Sequence, residues 1–201
     1  GFAIASAIFH PIFLLVLGIL IPLGSIIAQL FGAKKPGEII KNVIQALWLS
    51  QFFAFLSILF FVNIEFVLDR IGYEQEVIVI AKDYLTALCW GIPAIYAFLV
   101  LRMFIEGLSI TRPTMYFSII GLGVKIILNY FMMFGGYGFQ RLGAVGAGWA
   151  TSITYWIMLF VMFFFCIKSK LFVKYRKFLS FRKPTWLIIR EILRIGLPHG
   201  L

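Results

Sequence analysis

The chain has 201 residues, 62% of them hydrophobic and 13% charged, with 18 basic side chains against 8 acidic ones. Its mean hydropathy of +1.01 excludes an ordinary water-soluble domain. An all-α transmembrane bundle is the expectation, and the net charge of +10 then reads as a topology signal rather than as a nucleic-acid surface.

Turn residues set off five apolar stretches, 2–31, 39–68, 77–109, 113–134 and 142–167. Each exceeds the roughly 20 residues that a helix needs to cross the hydrocarbon core. Twelve basic residues flank the first, third and fifth connections: Lys34, Lys35, Lys41, Arg102, Arg112 and the seven between Lys168 and Lys183. Three flank the second and fourth, namely Arg70, Lys82 and Arg141. The positive-inside rule therefore puts the odd-numbered connections in the cytoplasm and starts the first helix on the outer side. If the protein's N-terminus is cytoplasmic, an odd number of spans, most simply one, precedes this chain.

The first stretch carries His10-Pro11, Gly18, Pro22 and Gly24. Proline frees a carbonyl and bends the axis, which suits either a cavity wall or close packing. His10, in the outer half, is a candidate for a proton or substrate, or else a hydrogen-bonded neighbour of another helix. "GAKKPGE" is a tight turn, with Gly32 expected to end the helix and Pro36 to block its continuation.

The third stretch is interrupted at "CWGIPAIY" and ends with Arg102 and Glu106 one helical turn apart, a structural clamp or gate rather than a catalytic pair. The fourth holds Lys125, twelve residues past Pro113 and so about 18 Å along a helix crossing a core about 30 Å thick. A charge there costs about 2.5–3.5 kcal/mol, which turns it toward the bundle interior, a watery cavity or a carboxylate. Gly121 and Asn129 share its face. None of the eight acids is expected at the midplane. Lys125 is then neutral, or pairs with a carboxylate outside these residues, or reaches water through a shift or tilt of its helix.

In the fifth stretch small residues recur at Gly143, Ala147 and Thr151 and at Ala144, Gly148 and Ser152, a pattern for close helix packing. Thr151 and Ser152 also offer oxygens to a cation. Cys89 and Cys166 lie at different depths and read as unpaired packing residues. The chain divides into a five-span portion (1–167), a basic cytoplasmic linker (168–185) and an amphipathic segment (186–201) of the kind that lies along a membrane interface before entering a sixth span. His10 and His199 are distant, no Ser, His and Asp converge, and no Cys/His spacing suits a metal. No catalytic residue, metal or cofactor is therefore assigned.

"LCWGIPAIYAFLVLRMFIEGLSITRP" and "NYFMMFGGYGFQRLGAVGAGWAT" resemble the N-terminal half of the multidrug and toxic compound extrusion transporters, in particular their NorM-like bacterial branch. The matching residues include Trp90, Gly91, Pro93, Arg102, Glu106, Gly107, Thr111, Pro113, Asn129, Tyr130, Gly138, Gly146, Gly148 and Thr151, and "AQLFGA" at 28–33 fits the end of that family's second span. The resemblance implies twelve spans in two six-helix lobes, with this chain carrying spans two to six and the start of span seven. It implies an inner-membrane antiporter that exports organic cations in exchange for protons or sodium ions by alternating access. The partners are then small organic cations, a monovalent coupling cation, membrane lipids, and the first span and C-terminal lobe of the same protein, with no nucleic acid. A polar site of an aspartate on the first span with residues of the fifth and sixth is implied, where Asn129 matches the pattern and Lys125 stands in place of the usual asparagine. A lipid-linked saccharide flippase of the same superfamily is the alternative.

Overall fold

The computed structural model describes residues 1–135, 141–179 and 185–200. The heart of the fourth connection (136–140), with Gly138, and residues 180–184 of the basic run lie outside the described residues. Among the described residues all regular structure is helical: α1 (Phe2–Leu20), α2 (Pro22–Gly32), α3 (Pro36–Val62), α4 (Ile64–Ile71), α5 (Gln75–Cys89), α6 (Ile92–Gly107), α7 (Thr111–Phe134), α8 (Gly143–Lys168), a 3-10 segment (Lys170–Leu179) and α9 (Trp186–Gly200).

The expected spans fall on these helices. α1 and α2 together make one span of 31 residues, unbroken at Pro11 and jointed at Ile21, where Pro22 takes the first helical position of α2. The second stretch is shorter than its apolar run: Asn63 ends α3, its amide donating to the Leu59 carbonyl, and the chain continues as the separate eight-residue α4. α5 and α6 form the third span, bent by 48° at Trp90–Gly91. Gly32 does not carry the left-handed turn that stops α2. Lys34 does (φ 56°), with the Lys35 N–H reaching back to the Leu30 carbonyl. Ser109 (φ 62°) ends α6 in the same manner, through Ile110 N–H to the Ile105 carbonyl.

α6 is the pillar of the bundle. From Ala94 to Leu101 every residue is buried, against α3 and α2 on one side and α8 on the other. Tyr96 is fully buried, and its hydroxyl meets Ser57 of α3 at 3.1 Å, which satisfies both polar groups inside the core. α7 stands at the opposite extreme. Only 6% of its apolar window is buried, against 44% for α3, and it is held almost wholly by α8.

The bend in α5–α6 follows from covalent chemistry. Pro93 has no N–H to return to Cys89, and the Gly91 N–H turns to the Leu88 carbonyl at 2.8 Å instead of continuing the α-helical ladder to Ala87. The freed Ala87 carbonyl accepts the Ser152 hydroxyl at 2.7 Å, the Trp90 carbonyl accepts the Trp156 indole N–H at 2.8 Å, and Gln51 of α3 donates to the Pro93 carbonyl at 3.2 Å. Two side chains of α8 thus take up carbonyls that the break leaves, and Gln51 adds a bond from α3 at the start of α6. The small-residue pattern of α8 has its explanation here: Gly148 faces Tyr84 and Ala87, and Gly91 faces Ser152. Gly146, outside both predicted series, seats α8 against the Met132 carbonyl of α7.

α9 does more than line an interface. Its apolar face, including Ile189 and Ile192, is buried, and the helix packs along α1 with Gly196 against the Ile19 backbone. Its start is tied to α3 by the Thr185 N–H, which donates to the buried Gln45 carboxamide at 2.7 Å.

A Cβ added at Gly91 would stand 2.6 Å from the Ser152 hydroxyl and 2.7 Å from its Cα, whereas one at Gly123 would meet nothing within 4 Å. Gly91→Ala is therefore expected to destabilise the full-length protein by about 1–3 kcal/mol, and Gly123→Ala to leave it unchanged or stabilise it by up to about 1 kcal/mol, read as thermal midpoints in detergent. Ser109→Gly, which relieves a left-handed residue, is expected to raise the midpoint by the equivalent of about 1 kcal/mol. Equal midpoints for Gly91→Ala and the parent would refute the tight elbow.

Candidate functional site

α7 and α8 form an antiparallel hairpin whose register is set by Gly121 against Met158 and Gly146 against Met132. Lys125 and Asn129 lie one turn apart on α7, both half-buried. The same register brings Thr151 and Thr154 of α8 to their height. Both threonine hydroxyls are committed to their own helix, Thr151 to the Ala147 carbonyl at 2.8 Å and Thr154 to the Ala150 carbonyl at 2.7 Å. Each keeps its lone pairs but has no hydrogen left to donate.

Asn129 is different. Its Oδ1 is buried and accepts no hydrogen bond among the described residues. An orphaned acceptor of this kind costs about 1–3 kcal/mol, so it marks a place where a donor or cation belongs. Lys125 makes no ion pair among the described residues. Glu65 is taken by Lys82, Glu106 by Arg102 and Glu38 by Lys35.

Toward the Arg102 end of α7 the polar file continues. Thr114 and Ser118, eleven and seven residues before Lys125, lie on its side of the helix. Their hydroxyls donate to the Thr111 and Thr114 carbonyls. With Arg102, Glu106 and Leu122 they line a groove of about 460 Å³ between α6 and α7. Arg102 Nε donates to Glu106 Oε1 at 2.7 Å, as their spacing predicted. The two side chains are 44% and 31% exposed, so the pair is worth little to stability and its position matters more than its strength. Thr114 and Ser118 were not among the sequence candidates, although their spacing from Lys125 on one helix was the available signal.

His10 does not join this group. It is exposed on α1, its Nδ1 bonded to the carbonyl of Ser6 at 2.7 Å, and α1 packs mainly on α9 and α5. Cys89 and Cys166 are both buried and unpaired. Among the described residues no three His, Cys, Asp or Glu side chains gather as metal ligands. The side chain of His199 lies outside the described residues.

Comparison with known proteins places this arrangement. The MatE family profile matches residues 1–131. The "Probable multidrug resistance protein NorM" of Bacillus subtilis (strain 168) is 35% identical over 201 residues, covering all of this chain and 44% of the relative. Its namesake in Listeria monocytogenes serovar 1/2a is 38% identical over 205 residues with the same coverage. The chain thus spans less than half the length of these relatives. Among solved structures, the eukaryotic MATE transporter AtDTX14 superposes with a TM-score of 0.87 over 98% of this chain and 43% of its own, at 22% identity, a likeness of fold. With most of its length under that profile and its helices arranged as in a MATE transporter, this chain belongs to the MatE family.

Proposed function

We propose that the chain forms spans two to six, and the approach to span seven, of a secondary antiporter in a bacterial inner membrane. This protein exports amphipathic organic cations in exchange for protons or sodium ions by alternating access. The observation that carries the reading is the pairing, on one side of α7, of an unsatisfied Asn129 oxygen with Lys125, above a groove that ends at Arg102 and Glu106. A lone carboxamide oxygen suits a cation or a donor. The relatives' name, a multidrug resistance protein, supports the substrate class.

In this proposal Lys125 answers to a carboxylate on the span that precedes this chain. An ammonium at that point repels sodium at short range and takes the ion's place beside the carboxylate. The lobe is then proton-responsive, or inert toward sodium. The groove lined by Thr114 and Ser118 runs along α7 as far as Leu122, one turn short of Lys125. A second reading, export of a lipid-linked saccharide, is favoured by the cationic character that Lys125 and Arg102 lend to the same side. Uptake of a fluorescent cation against a labelled lipid-linked sugar in liposomes separates the two.

The test of the leading reading is Lys125→Asn in the full-length protein, reconstituted in proteoliposomes under an imposed proton or sodium gradient. Breaking a buried charge pair removes several kcal/mol, so proton-driven efflux is expected to fall at least about tenfold and sodium-driven efflux to appear. Unchanged ion dependence together with unchanged drug resistance excludes the role given to Lys125.

A further inference from the structure

The residues that follow α8 form a 3-10 helix, Lys170–Leu179, begun by Ser169, whose hydroxyl accepts the Leu171 N–H at 3.3 Å. In such a helix side chains three apart eclipse one another and make three ridges. One ridge holds Phe172 and Tyr175, 0% and 8% exposed. Their rings lie 5.7 and 5.9 Å from Phe104 of α6, and Phe172 also meets Phe165 of α8 at 5.7 Å. This ridge fixes the segment's orientation against the bundle, and burial pushes the Tyr175 phenol up from its ordinary pKa.

The other two ridges face outward, and each couples one lysine to one aliphatic side chain. Lys170 eclipses Val173, and Leu171 eclipses Lys174; all four are exposed, Leu171 by 59% and Val173 by 53%. Neither lysine has an acidic partner among the described residues. The sequence from Lys168 to Lys183 holds seven basic residues and no acid. A segment facing only water has no use for the exposed Leu171 and Val173, and one facing only hydrocarbon has no use for the lysines. The pairing fits the boundary between them, directly after the end of a membrane-spanning helix and on the side that the charge distribution assigns to the cytoplasm.

We propose that Lys170 to Tyr175 is a docking surface for anionic phospholipid of the inner leaflet. The lysine ammoniums take the headgroup phosphates, and Leu171 and Val173 enter the acyl border. Phe172 and Tyr175 pin this surface beneath α6, so a headgroup bound there is held against the central pillar of the bundle. This inference stands apart from the antiport reading, since it requires neither a substrate nor a coupling ion. It also differs from a purely topological role for the basic run, which needs no bound lipid once the protein is inserted.

The experiment uses the full-length protein with a bimane attached at Val173→Cys, the cysteines of this chain being buried. It is reconstituted in mixed phosphatidylglycerol and phosphatidylcholine bilayers, with bromine carried on the acyl chains of one lipid or the other. Bromine on phosphatidylglycerol is expected to quench in excess of bromine on phosphatidylcholine, an enrichment of about fivefold for each lysine near the surface. The excess is expected to shrink by about that factor in Lys170→Gln and by the same factor again in the Lys170→Gln, Lys174→Gln double variant, while Lys174→Arg retains it. Equal quenching by the two brominated lipids, a preference undiminished in the double variant, or quenching by aqueous iodide alone each overturns the proposal.

Discussion

A bilayer offers no water to a free carbonyl, and the bend between α5 and α6 frees several at once. That constraint organises the molecule. The repair is made by Ser152 and Trp156, one turn apart on α8, while Gln51 of α3 adds a bond to the Pro93 carbonyl at the start of α6. Because the donors must reach particular carbonyls, α8 has a single register against α5. Glycines at 91 and 148 let the backbones approach closely enough for the Ser152 bond to form. α7 then hangs from α8 through Gly121 and Gly146, so the position of Lys125 is inherited, two contacts removed, from the elbow.

That inheritance separates two kinds of polar group on α7 and α8. The hydroxyls of Thr114, Ser118, Thr151 and Thr154 give their hydrogens to their own helices and cost the fold little. Asn129 and Lys125 have no comparable local solution. A carboxamide oxygen without a donor and an ammonium without a carboxylate are unfavourable in hydrocarbon, and stability alone would have replaced both with leucine. They sit on the least covered helix of the described bundle, in a chain that spans less than half the length of its relatives.

The sequence displayed the spans because twenty apolar residues in a row have few other uses. It displayed the elbow because Gly91 and Pro93 break a ladder whatever surrounds them, and the Arg102–Glu106 pair because four-residue spacing on a helix dictates contact. It concealed features that depend on a neighbour. Nothing local marks Gly146 as the seat of α7, or tells Phe172 and Tyr175 from the other aromatics of a phenylalanine-rich chain until Phe104 is placed above them. The end of α2 fell at Gly32 as expected, but the left-handed turn fell on Lys34 two residues later, where it joins the connection to α3. The pairing at the candidate site was legible as two residues on one face, and the orphaned oxygen of Asn129 was not.

The lysines of this chain differ in what surrounds one and the same side chain. At Lys35 and Lys82 the ammonium stands beside a carboxylate on the exposed surface and the charge is answered there. At Lys170 and Lys174 it is exposed next to an aliphatic neighbour, where a four-carbon stem spans the gap between an apolar wall and a polar layer. At Lys125 neither setting recurs: the side chain is half-buried on α7, and no acid among the described residues reaches it. In the antiport proposed above, an amine left in this way suits a cycle in which sites fill and empty by turns.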